Sequence, residues 1–199
     1  MRTTLPFVLG LLLTVGGVHS QVARLSEHAT GKVEIEAVPG DTLLIDLSTN
    51  LGRHSASGVT VFLQVPADGF RLLHAESTAG PFLPGDLFSE GVVVRNEEVE
   101  DGASYIADGH RLLEFSTLLG PAKGRGRGGS GSIACFRLVC ERPTAGTISI
   151  YHSPVHESRI VLADGRTEVP FYIAEPIEID VDLDTSVMPS AWARIKAQR

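Results

Sequence analysis

Residues 120–140, GPAKGRGRGGSGSIACFRLVC, decide between two fold classes. They contain a literal G-x-G-x-x-G at Gly126, Gly128 and Gly131. In a dinucleotide-binding unit that turn follows a strand and opens a helix, whose N-terminus faces the pyrophosphate. Here the glycines run into SIACFRLVC, an apolar run that reads as a strand. The other phosphate loop, G-x-x-x-x-G-K-[ST], is absent. The stretch is therefore read as a mobile, glycine-rich connection between strands, and no nucleotide is expected on it.

Working outward, the same signature of short apolar runs and turn residues recurs. KVEIEAV alternates Val33, Ile35 and Ala37 against Glu34 and Glu36. A P-G-D turn (Pro39, Gly40, Asp41) leads into TLLIDLSTN. GVTVFLQV sets Val59, Val61, Leu63 and Val65 against Thr60, Phe62 and Gln64, which is the period of a strand with one buried side. FRLLHAE, GVVVRN, RLLEFSTLLG, SIACFRLVCE, GTISIY and EPIEIDVDLD complete nine runs, with 21 glycines and 11 prolines to supply corners. No helical period of useful length interrupts residues 32–183, so an α/β fold is not expected. The pattern predicts an all-β, antiparallel, nine-stranded β-sandwich with an aliphatic core.

The ends read differently. Residues 1–20 carry Arg2, an apolar run and a Val18-His19-Ser20 boundary, the features of a secretory signal peptide with Gln21 as the mature N-terminus. Residues 21–31 are polar and are expected to form a loose linker. Residues 32–183 form the domain. Residues 184–199 form a tail in which Ser190, Trp192, Ile195 and Lys196 suit a short amphipathic C-terminal helix. The protein is thus expected to be secreted, extracellular or at the cell surface, with the periplasm also open, and without a membrane span.

Charge and cysteine usage narrow the function classes. The chain has 17 cations and 24 anions. Without residues 1–20 the net charge is about −8, which opposes nucleic acid as a partner. Cys135 and Cys140 lie five apart on one expected strand, so their Cα atoms would stand roughly 16 Å apart. A disulfide needs about 4.4–6.8 Å, so two free thiols are expected.

Catalytic and metal constellations are weak. His152 and His156 in HSPVHE are four apart, but Pro154 stands between them in a strand-to-loop context, so they read as solvent-exposed loop histidines. G-x-S-x-G and H-E-x-x-H are absent. Asp180 and Asp182 share the outer side of a strand, an ordinary place for solubilising charge. No catalytic residue, metal site or cofactor is expected.

Several stretches in order resemble the cohesin domain of bacterial secreted proteins: VEIEAVPGDTLLIDL, GVTVFLQVPADGFRLLHAES, GPFLPGDLF, GGSGSIACFRLVC and GTISIYHSPVHESRIVLADGRTEVPF. The resemblance spans roughly residues 32–183. It implies a jelly-roll topology and no catalysis. It also implies a role in holding a dockerin, a small calcium-binding helical pair, on a flat face that includes the third, fifth, sixth and eighth strands. Carried onto this chain, the partner-binding positions are Thr60, Phe62 and Gln64 on one strand and Leu112, Glu114, Ser116 and Leu118 on another. Thr60 stands where the family has a dockerin-contacting Asp, and Val65-Pro66-Ala67 stands for Tyr-Asp-Pro. The register further implies Ala134, Phe136, Leu138 and Cys140 inward, with Cys135 and Arg137 outward. Partners are therefore a dockerin-like module or another secreted protein. A polysaccharide bound by a jelly-roll carbohydrate-binding module is the alternative, and a structural or adhesive cell-surface subunit is a further one. One Trp, three Tyr and eight Phe supply little for stacking on sugar rings.

Overall fold

Residues 42–66 form one strand, and the sandwich is organised around it. The computed structural model describes residues 21–74, 79–100, 104–120, 126–173 and 175–183. In chain order the strands are β1 (Gln21–Glu27), β2 (Glu34–Ala37), β3 (Thr42–Pro66), β4 (Phe70–Leu73), β5 (Phe82–Pro84), β6 (Val92–Glu98), β7 (His110–Leu118), β8 (Arg127–Cys140), β9 (Thr144–Ile150), β10 (Arg159–Leu162), β11 (Glu168–Ile173) and β12 (Ile177–Val181). A 3-10 turn occupies Asp86–Phe88.

The first half of β3 lies between β1 and β8, and the second half lies between β7 on one edge and β10 and β9 on the other. The pairing is irregular between Asn50 and Ser55, where Gly52 takes φ +56, a value that suits a residue without Cβ. This bend lets one strand serve both layers of the sandwich. Both halves turn their odd-numbered residues into the core: Leu43, Ile45, Leu47 and Leu51, then Val59, Val61, Leu63 and Val65.

All nine expected runs have counterparts, with three corrections. The runs at 42–50 and 58–65 are one strand, and β1, β5, β10 and β11 are additional, so the described residues form twelve strands. β5 and β10 are too short to show alternation, and β11 contains Pro170. The expected linker is the second correction. Residues 21–27 form a strand, paired with β11 at 21–23 and with β3 at 23–27, that buries Ala23 and Leu25 completely. The sheet is also mixed, because β1 runs parallel to β11 and β2 parallel to β12. Residues 1–20 and 184–199, with the expected signal peptide and C-terminal helix, lie outside the described residues.

The core is aliphatic around an aromatic centre. Phe82 packs against Phe115 and Phe136 with ring centroids 5.4 Å apart in each pair, and all three are fully buried. Fully burying such a side chain contributes about 1.5–3 kcal/mol. On β8 the expected register holds: Ala134, Phe136, Leu138 and Cys140 are buried, Cys135 is half-buried and Arg137 is exposed. Residues 126–131 belong largely to this strand rather than to a loop, since Gly128 pairs with Ser55 and Gly131 with Thr49. Of the basic glycine loop, residues 121–125 lie outside the described residues. The A-D-G turn (Ala163, Asp164, Gly165) joins β10 to β11. Its Asp164 carboxylate accepts from the Thr167 hydroxyl and from the N–H groups of Thr167 and Arg166, which holds the acid down at about 2.

Both cysteines are free thiols. Burial, with Asp46 beside it and Arg137 opposing, pushes the Cys135 thiol up, and burial with Asp41 does the same to Cys140. The native protein should therefore label slowly with a thiol reagent at pH 7, at Cys135 first, and yield two thiols in guanidinium. A mass two hydrogens below the reduced chain would overturn this.

Candidate partner-binding face

The outer side of the β10–β3–β7–β6 layer is built in rows, because residues paired across strands share a side. The register sets Gly58, Leu118 and Val92 in one row. The next holds Arg159, Thr60, Ser116 and Arg95, and a third holds Phe62, Glu114 and Glu97. Gln64 and Leu112 form the fourth. All seven expected partner positions, Thr60, Phe62, Gln64, Leu112, Glu114, Ser116 and Leu118, thus lie on one side of one layer.

The rows differ chemically. Leu118 is 45 % exposed and Val92 64 %. Gly58 sits beneath Leu118: a Cβ there would fall 2.3 Å from Leu118 Cδ2 and 2.9 Å from the Thr117 carbonyl, so only glycine lets the leucine lie across it. In the second row the Thr60 and Ser116 hydroxyls are hydrogen-bonded at 3.0 Å between two arginines. In the third, Glu97 pairs with Arg95 at 3.2 Å. Glu114 is half-buried. Burial raises its pKa and nearby Glu97 adds to the rise, while Arg95 and His156 oppose it.

Two of the expected contact residues are not exposed. Phe62 is 7 % exposed and Leu112 is fully buried, although both lie on the outer side. The cause at Phe62 is a crossover. β9 pairs with β3 at Leu63 and Gln64, β10 pairs with the same edge from Thr60 to Ala56, and residues 151–158 between them arch out of the layer as a strap. The His156 ring lies edge-on to Phe62 at 4.9 Å and to Tyr105 at 4.7 Å. Tyr151 donates its hydroxyl to the Tyr105 carbonyl at 2.7 Å. Ser158, fully buried, accepts from the Phe62 N–H at 2.9 Å and donates to the Tyr151 carbonyl at 3.1 Å. His156 is therefore a packed, half-buried residue rather than a solvent-exposed one, while His152 is exposed as expected. Tyr105, His156 and Ser158 are the residues that sequence reasoning did not single out for this face. The HSPVHE spacing drew attention for metal chemistry, and its real use is packing.

Comparison with solved structures gives the architecture its place. A type II cohesin domain from the cellulosome of Acetivibrio cellulolyticus aligns over 80 % of this chain and 95 % of its own, with a TM-score of 0.60 at 10 % identity. The fold is that of the cohesin domains. A type II cohesin–X–dockerin complex from the same organism supplies another match, with TM-score 0.59, 14 % identity, and 82 % and 100 % of the two chains covered. The cohesin module of a Clostridium perfringens family 33 glycoside hydrolase matches at TM-score 0.53 and 10 % identity, covering 82 % and 98 %. No protein-family model and no curated protein matches the sequence.

Two measurements check the face. Ser158→Ala leaves the buried Phe62 N–H without an acceptor and should cost about 1–3 kcal/mol in urea melts. An unchanged midpoint would mean the strap is not anchored there. Because the folded state raises the Glu114 pKa, it binds this proton more tightly than the unfolded chain does, and stability falls as pH rises through that range. Glu114→Gln should therefore raise Tm at pH 7, and the gain should vanish below about pH 4, near the unperturbed Glu pKa. A gain equal at both pH values would assign the effect elsewhere.

Proposed function

We propose that this chain is a secreted, non-catalytic protein-binding module that holds a dockerin-like module, or another secreted protein, on the outer side of the β10–β3–β7–β6 layer. The distribution of exposed apolar side chains carries the reading. Among the described residues the large exposed hydrophobics are Val92, Val93, Val94, Tyr105, Leu118, Val155 and Leu183. Val92 and Leu118 lie on this face, Val93 and Val94 belong to its edge strand, and Tyr105 and Val155 belong to the cover over Phe62. A concentration of apolar surface rimmed by charge marks an interaction site, whereas singly scattered residues would not.

The chemistry of the rows describes the partner. An apolar side chain seats on Leu118 and Val92, hydroxyl or amide groups meet Thr60, Ser116 and Gln64, and a cation meets Glu114 and Glu97. Phe62 and Leu112 support the face from beneath. The solved cohesins in complex with dockerins support a dockerin-type occupant. With Thr60 in place of an Asp, the partner's contact at that position is a neutral hydrogen bond.

Capture of partners by the chain without residues 1–20, from the host's own secreted proteins with and without calcium, identifies the occupant. Leu118→Asp and Val92→Asp should then weaken binding about thirtyfold or more, about 2 kcal/mol, as expected for central interface positions, while leaving Tm nearly unchanged. Full affinity in both variants would move the binding face elsewhere.

A further inference from the structure

The 151–158 strap is fastened at its ends and lightly seated in its middle. Its ends are tied to one residue of β3: the Phe62 N–H donates to Ser158 Oγ, and the Phe62 carbonyl accepts from the Tyr151 N–H at 2.8 Å. Between these anchors the ring of His156 sits on Phe62, while Pro154 and Val155 are exposed, Val155 at 68 %. The hydrogen bonds of the arch close on themselves. Val155 and His156 donate to Ser153 Oγ, and the Ser153 N–H donates to the His156 carbonyl at 3.0 Å. Residues 153–156 thus form a closed hydrogen-bonded turn between the two anchors.

Its weak point is the imidazole. His156 Nδ1 is buried and has no hydrogen-bond partner. A buried polar atom without a partner disfavours the closed position, and withdrawing the ring returns Nδ1 to water. A leucine there would seal Phe62 without that penalty.

We propose that the 151–158 strap is a lid on the binding face: it lifts at His156 to uncover Phe62, and an apolar side chain of the partner takes the place that the imidazole leaves. This rests on the face being the partner-binding one, and the lid has a signature that needs no partner. Relaxation-dispersion NMR of the aromatic rings should show microsecond-to-millisecond exchange at Phe62, Tyr105 and His156 and none at Phe82, Phe115 and Phe136. His156→Leu should quench it, and His156→Gly should leave Phe62 in a single, uncovered state with the core rings unchanged. Rings at 62, 105 and 156 as quiet as the core trio in the wild-type protein would overturn the lid. With a partner that protects Leu118 and Val92, affinity scales with the open fraction, so His156→Gly should bind at least tenfold more tightly than His156→Leu. Equal affinities would overturn the coupling. Failure to find any partner on the face would count against the binding role, and the ring exchange would still decide the lid.

Discussion

The structure depends on the continuity of β3. A strand of this length crosses from one layer to the other, and each half must find neighbours on both edges. On the first half β1 and β8 serve. On the second, β7 takes one edge, and the other is shared end to end by β9 and β10. Two successive strands that pair with the same edge in line leave their connection no path within the layer. Residues 151–158 must leave the plane, and Phe62 lies where they do. The outer side of the layer is therefore partly covered as a consequence of strand order.

This explains what was legible in the sequence. Alternation reports which side of a strand a residue takes, and it did so correctly along 58–65, 110–118 and 133–140. Thr60, Glu114, Ser116 and Leu118 share a side as expected, and the β8 register is as expected. Alternation carries no information on whether another segment lies over that side, so Phe62 and Leu112 read as surface and are buried. β1 was hidden for a related reason. Its QVARLSE sequence buries the apolar Ala23 and Leu25, too few apolar positions to stand out. The strand forms because β3 and β11 both offer it an edge. The glycine-rich run was read correctly as leading into a strand and incorrectly as preceding it, since pairing with β3 extends back to Arg127.

The face combines features that a protein minimising its own free energy would avoid. Glu97 and Glu114 are direct cross-strand neighbours, a pairing of like charges that destabilises a sheet by tenths of a kcal/mol up to about 1 kcal/mol. Burial further disfavours the Glu114 carboxylate. On the same side, beyond the Thr60–Ser116 row, lie the solvent-exposed Leu118 and Val92. Arg95 pairs with Glu97, and at Glu114 the charges of Arg95 and His156 offset only part of the effect of burial. These local rules are broken together on one side of one layer, which is where the proposed partner-binding role would place them, while the opposite side is mainly apolar around Val59, Val61, Leu63 and Val65, with Thr117 buried among them.

Phe62 ties these threads together. At the seam where β9 stops and β10 begins, its backbone N–H and carbonyl face an edge with no strand opposite. Left alone, both would be buried without partners, since the residue is 7 % exposed. Ser158 Oγ and the Tyr151 N–H supply the missing acceptor and donor. The two ends of the strap are thus required by hydrogen-bond satisfaction at the seam, and neither end can be released without disturbing β3. The middle has no such obligation. A serine and a tyrosine backbone hold the ends, while a histidine with a buried, unpartnered nitrogen rests on the ring. Firm ends and a poorly satisfied middle confine any movement to the residues that cover Phe62.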